Sequence, residues 1–330
     1  MTRQVVQRLL LGLALVALPL MVGAGRPLAT HPNHGGDPVA LDPTGGLPAS
    51  AIEHEVVWRT NLERERAGVP PLKLEPLLTA AARGHSQDMA DNDFFSHTGS
   101  DGSTPWDRIE RAGYTGWSAL AENIAAGYDS PGAVVAGWMG SKGHRENLLN
   151  PAYREVGVGY SYLANDQGSV NYSHYWTQDF GARFDVYPVV IEDEQISVTR
   201  RTVDLYGYGS GWAQEMRLSN DGGTWSSWQP YQERLTWTLS DGNGLKSVFV
   251  ELRQGSTVTQ ARDEVVLEAP CQLPLDLNAD GRVDAQDVAI VVAAWHQSAP
   301  AGDERDANRD GRINILDISE VASEWNTSCP

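Results

Sequence analysis

Two twelve-residue stretches near the end of the sequence carry oxygen-bearing side chains at matching places. The first places Asp276, Asn278, Asp280, Arg282, Asp284 and Asp287 at positions 1, 3, 5, 7, 9 and 12. The second repeats the pattern 30 residues later with Asp306, Asn308, Asp310, Arg312, Asn314 and Asp317. Calcium takes six to eight oxygens, and a loop of this kind supplies them from those six positions. Position 7 contributes its backbone carbonyl, so an arginine is acceptable there. Gly281 and Gly311 stand at position 6, where the loop must turn sharply. The expectation is two bound calcium ions.

A second set could do other chemistry. His97, Glu122 and His144 are separated by 25 and 22 residues. Two imidazoles and a carboxylate can hold zinc with a fourth position open for water, which is then nucleophilic near neutral pH. The same three side chains could move protons without a metal. Other histidines read differently. His85 falls on an apolar helix face and His174 in an aromatic strand, so both read as core residues, while His31 and His34 lie in a solvated linker. Tyr208-Gly209-Ser210-Gly211-Trp212 lacks the glycine spacing of a nucleophile elbow. Asp179-Phe180-Gly181 matches a kinase tripeptide, but no glycine-rich phosphate loop accompanies it.

Charge and cysteine usage narrow the classes. The 330 residues carry 43 acidic against 25 basic side chains, a net charge of −18, which excludes a phosphate-backbone partner. From Cys271 to Pro330 there are eleven acids against four arginines. Arg3 and Arg8, the apolar run Leu9 to Val22, and Val22-Gly23-Ala24 read as a cleaved secretory signal over 1–24. No later segment reads as a membrane span. The two cysteines, Cys271 and Cys329, bracket the acidic segment, and export permits a disulfide between them. The other state is two free thiols.

These groups need elements to position them. Residues 25–49, rich in Pro and Gly, form a linker. Residues 50–150 read mostly as helix. Ser50-Ala51-Ile52-Glu53 is a capping box, one helix stops near Gly68, and a second spans about 75–91. Thr104-Pro105 and Ser130-Pro131 start two more. Strand patterns begin at Glu155 and return at Tyr172 to Phe180, so 50–182 is an α+β domain. Residues 195–268 hold short strands parted by Gly/Asp turns, the pattern of a small β-sandwich acting as spacer or binding module. After each acidic loop, Val288, Val291 and Trp295 repeat as Ile318, Val321 and Trp325, so 271–330 reads as two loop–helix units in an all-α module. The fold class is multi-domain.

Three resemblances overlay this reading. His85 to Met89, Phe94 to His97, Ala121 to Ala125, Ser141 to Arg145, Glu155 to Gly159 and Tyr175 to Gly181 resemble the CAP superfamily (cysteine-rich secretory proteins, antigen 5, pathogenesis-related-1) in its bacterial form. That implies an α-β-α sandwich whose cleft holds two histidines and two acids. His97 and Glu122 take the first two places and His144 stands in for the second histidine. The stretch Met216 to Trp228 resembles bacterial immunoglobulin-like modules. The paired loops, with Asp at position 12 and no helix entering the first loop, resemble dockerin type I modules.

The resemblances imply a secreted protein, tethered through calcium to a cohesin-bearing scaffold or surface protein, often among polysaccharide-degrading systems. Its His/Glu cleft is expected to bind a metal or small ligand. The alternative is a metal-dependent hydrolase of peptide or polysaccharide, delivered by the dockerin. Dockerin recognition positions 10 and 11 are here Ala285-Gln286 and Ile315-Leu316.

Overall fold

The computed structural model describes residues 50–269, 273–278 and 281–327. The signal and linker readings, Asp280, and the Cys271–Cys329 pairing lie outside the described residues. The chain divides into two compact units, meeting near residue 266. Among the described residues no helix is long and apolar enough to cross a membrane.

The first unit begins with α1 (Ala51–Arg66), whose Ser50/Glu53 capping box is formed in both directions. Next come β1 (Lys73–Leu74), α2 (Pro76–Asp91), α3 (Pro105–Arg111), β2 (Trp117–Ala126), α4 (Pro131–Gly140), α5 (Lys142–Leu148), β3 (Glu155–Tyr162) and β4 (His174–Arg183). The strands form one sheet in the order β1-β3-β4-β2, with β1 parallel to β3 and the other pairs antiparallel.

Period-two alternation distributes the sheet's side chains. Val156, Val158, Trp176 and Phe180 pack with Val56, Val57, Val134, Val135, Trp138 and Leu148 of α1, α4 and α5. On the other face Ile124 and Tyr175 pack with Met89 and Ala90 of α2. Gly157 and Gly159 let α2 lie directly on β3. A Cβ at either would stand 2.1 or 2.2 Å from helix backbone. Helices thus cover both faces, as the α-β-α expectation required.

Residues 50–150 are mostly helical, with one long strand among them. The Ala-rich stretch Trp117–Ala126 has helix-forming composition but is a strand. It pairs with β4 from Trp117↔Arg183 to Ala126↔Tyr175, and that pairing overrides local propensity.

The all-β region contains β5 (Val189–Ile191), β6 (Ser197–Val198), β7 (Thr202–Gly207), β8 (Glu215–Ser219), β9 (Gln229–Pro230), β10 (Arg234–Thr238), β11 (Gly244–Gln254) and β12 (Thr257–Leu267). One sheet runs β10-β7-β5 and the other β6-β12-β11-β8-β9. Alternate residues Val248, Val250 and Leu252 are buried, as are Met216 and Leu218. The region opens at β5, ahead of residue 195, because β5 pairs with β7.

The second unit holds α6 (Ala285–Ala293) and α7 (Ile315–Ser323). Val283, Val291, Ala294, Ile313 and Val321 form its core. Two backbone straps cross between the repeats. Val283 bonds Thr327 and Asn326 (2.9 and 3.0 Å), while Ile313 bonds His296 and Gln297 (2.9 and 3.0 Å). Each repeat's position 8 is therefore fastened behind the other repeat's helix.

Candidate functional sites

In the cleft, β2 carries Glu122 and the loop after α2 carries His97. That loop is anchored from below: His85 Nε2–H donates to the Ser96 carbonyl at 2.9 Å, and Asp88 accepts from the Ser100 amide at 2.9 Å. His97 Nδ1–H donates to Glu122 Oε1 at 2.7 Å. Arg108 of α3 donates from Nη2 to Glu122 Oε2 at 2.6 Å and to the His97 carbonyl at 3.1 Å. The Glu122 side chain is 2 % exposed and that of His97 52 %. The imidazole is thus oriented by a buried carboxylate through one nitrogen and open to solvent on its other side.

α5 brings His144 beside this pair. Asn123 of β2 donates to the His144 carbonyl at 3.2 Å, and Asn147 donates to Asn123 Oδ1 at 2.9 Å. Burial first, then the positive potential of His97, hold the His144 imidazole below its ordinary range. Of the three expected side chains, His97 and Glu122 are joined by a hydrogen bond, while His144 is tied to β2 through its backbone carbonyl.

Sequence reasoning missed Asp179. It lies directly opposite Glu122 across β2 and β4 and is 1 % exposed, with its Oδ1 buried and without a hydrogen-bond partner. Burial and the adjacent Glu122 hold it well above the usual carboxylate range, with Arg108 opposing. Its only sequence signal was the Asp179-Phe180-Gly181 tripeptide, which had been set aside. His85 is fully buried, as expected of a core residue. Burial lowers its pKa, and its Nδ1 has no partner. His174 is half-buried, with Nδ1 2.8 Å from the Tyr160 hydroxyl.

The donor set does not fit zinc. Both oxygens of Glu122 are engaged by N–H donors, and the Arg108 guanidinium already supplies the countercharge. Among the described residues no three His, Cys, Asp or Glu side chains converge as a metal group requires.

In the acidic loops the carboxylates gather backbone amides. Asp306 accepts from the Asp310 and Gly311 amides at 3.0 and 2.8 Å, and Asp317 accepts from Asn308 and Asn314 at 3.2 and 2.8 Å. In the first loop Asp276 accepts from Gly281 at 2.7 Å, and Asp287 accepts from Leu277 and Asp284 at 2.7 and 2.8 Å. Gly281 and Gly311 both have φ +85°. Asp284 and Asn314 also cap α6 and α7, with Asp287 and Asp317 closing each capping box. Each helix start is therefore built from positions 9 and 12 of its loop.

Residues 58–180 match the CAP family, described as the Cysteine-rich secretory protein family, and residues 274–326 match the dockerin type I domain. Both modules are present in this chain. Dockerin type I domains bind calcium, in agreement with the loops. The chain is 40 % identical over 131 residues to the uncharacterized protein YkwD of Bacillus subtilis (strain 168), covering 40 % of this chain and 47 % of that protein. It is 37 % identical over 107 residues to the uncharacterized membrane protein YlbC of the same organism, covering 32 % and 31 %. The chain thus spans less than half the length of either relative. Similar solved structures include an extracellular protein containing a SCP domain from Bacillus anthracis str. Ames (31 % identity, 41 % of this chain and 45 % of that chain, TM-score 0.35). An outer surface protein of Borrelia burgdorferi matches at 21 % identity over 39 % of this chain and 90 % of that chain, TM-score 0.35.

Proposed function

We propose that this is a secreted modular protein, tethered through its dockerin to a cohesin-bearing scaffold or surface protein, that presents a metal-free His/Glu cleft to a small ligand. The observation that carries the tether is the doubled loop, in which position-1 and position-12 carboxylates gather the loop amides in both repeats. Such a loop is folded around a place for a cation, so two calcium ions are the natural complement. Ile315 and Leu316, at positions 10 and 11 of the second loop, are 59 % and 56 % exposed and give the partner an apolar foothold.

In the cleft, Glu122 fixes the tautomer of His97 and leaves Nε2 toward solvent as a proton acceptor. That arrangement suits hydrogen bonding to a polar ligand, or proton transfer at it. A metal-dependent hydrolase gains no support, because among the described residues no third His, Cys, Asp or Glu side chain converges with His97 and Glu122 as a metal group requires. The all-β region is read as an immunoglobulin-like module.

Titrating the full chain with a recombinant type I cohesin, with calcium and with EGTA, tests the tether. Calcium-dependent binding is the expected result, and calcium-independent binding or none across a cohesin panel sinks it.

A further inference from the structure

We propose that the all-β region is a built-in folding partner of the CAP domain rather than a spacer, and that the edge segment Pro70–Glu75 is the surface it grips. β1 is the sheet's edge strand, and its Lys73 side chain reaches across to two carboxylates. Lys73 Nζ donates to Glu194 at 2.8 Å and to Asp263 of β12. Both carboxylate side chains are 3 % exposed, and the second oxygen of Asp263 accepts from the Ile191 amide at 2.7 Å.

The carbonyls around Lys73 are all taken. Pro70 accepts from Arg64 at 2.7 Å, Pro71 from the Tyr208 hydroxyl at 2.8 Å, and Leu72 from Asn61 at 2.9 Å. Asn61 also donates to the Asp193 carbonyl at 3.0 Å. The Arg154 guanidinium lies 5.7 Å from the ring centres of both Tyr187 and Tyr208.

A second observation is independent of these contacts. Glu192, Asp193 and Glu194 have φ of 44°, 54° and 66°, three successive non-glycine residues in the left-handed region. Such a turn is costly and persists only where its surroundings over-determine it. From the CAP side Asn61 holds the Asp193 carbonyl, and Lys73 with His54 holds the Glu194 carboxylate. From within the all-β region Glu192 is held by the Asp204 amide at 2.9 Å, by Arg200 at 3.1 Å and, at its carbonyl, by the Gln195 amide at 2.9 Å. The turn that opens the all-β region is therefore held from both sides, which is the mark of elements that fold together.

The test uses the full chain with a protease site inserted between Phe184 and Asp185, where Phe184 is 68 % exposed. After cleavage the two pieces should co-elute on size-exclusion chromatography. Calorimetry of the uncut chain should show one calcium-insensitive transition for this unit. Lys73→Ala should let the cut pieces separate. Tyr208→Phe, which removes one hydroxyl and no charge, should speed their dissociation about tenfold. Separation of the cut unmutated pieces, or two calcium-insensitive transitions, overturns the proposal. Unchanged co-elution of both variants removes the role given to the Pro70–Glu75 segment.

Discussion

Glu122 and Asp179 face each other across β2 and β4 as two buried carboxyls beside one guanidinium, that of Arg108. Burial and the adjacent Glu122 push Asp179 well above the usual carboxylate range, so a neutral side chain should be tolerated there, whereas Glu122 bonds both His97 and Arg108. Replacing Asp179 with Asn keeps a neutral hydrogen-bonding side chain and should cost under about 1 kcal/mol. Glu122→Ala strands a buried arginine and should cost about 3 kcal/mol. Denaturant unfolding of the two variants checks this, and an equal loss in both would refute the assignment of charge.

Stability of the first unit should fall as pH rises toward 8. Burial is the leading cause that raises Asp193 to about 6, Glu75 to about 7 and Glu194 to about 8. The Glu194 shift is upward even beside Lys73, because one cation cannot neutralise both Glu194 and the neighbouring Asp263. Folded carboxyls with raised pKa hold more protons than the unfolded chain, so their contribution is lost as pH rises through 6 to 8. His54, His85 and His144 are lowered from 6.5, chiefly by burial, and their contribution is lost as pH falls below that value. Melting temperatures from pH 5 to 9 should trace this fall, and Glu194→Gln should flatten it. A melting temperature still rising at pH 9 contradicts it.

Calcium removal should unfold both repeats together. The straps Val283–Thr327 and Ile313–His296 make each loop depend on the other's helix. Asp306→Ala should therefore weaken both sites, seen as loss of helical circular dichroism and a change in the fluorescence of the exposed Trp295 and Trp325 at calcium levels that saturate the parent. Independent loss of one site alone is the contrary result.

The two repeats should not be interchangeable in docking. Ile315 and Leu316 correspond to Ala285 and Gln286 in the first repeat. Changing Ile315→Ala with Leu316→Gln should weaken cohesin binding at least tenfold, with calcium affinity unchanged by calorimetry. Undiminished cohesin binding would place the foothold elsewhere.

What the sequence disclosed was local. Ser50 with Glu53, Thr104 with Asp107, and both acidic loops lie within a dozen residues of chain, so spacing alone announces them. The cleft pair was legible through its chemistry and its resemblance. Asp179 was not, because its partner sits across a sheet and 57 residues away. β2 stayed hidden because alanines that favour helix are held extended by β4. Lys73 gave no sign of its role, since its partners lie 121 and 190 residues further on.

The strap between Val283 and the Asn326–Thr327 pair also sets a load path. A pull arriving at residue 273 while α7 is held fast reaches the first loop, then crosses directly to the segment after α7. Tension is thus shared between both loops instead of peeling the first one away, and removing the chain beyond Trp325 would unfasten a loop forty residues upstream.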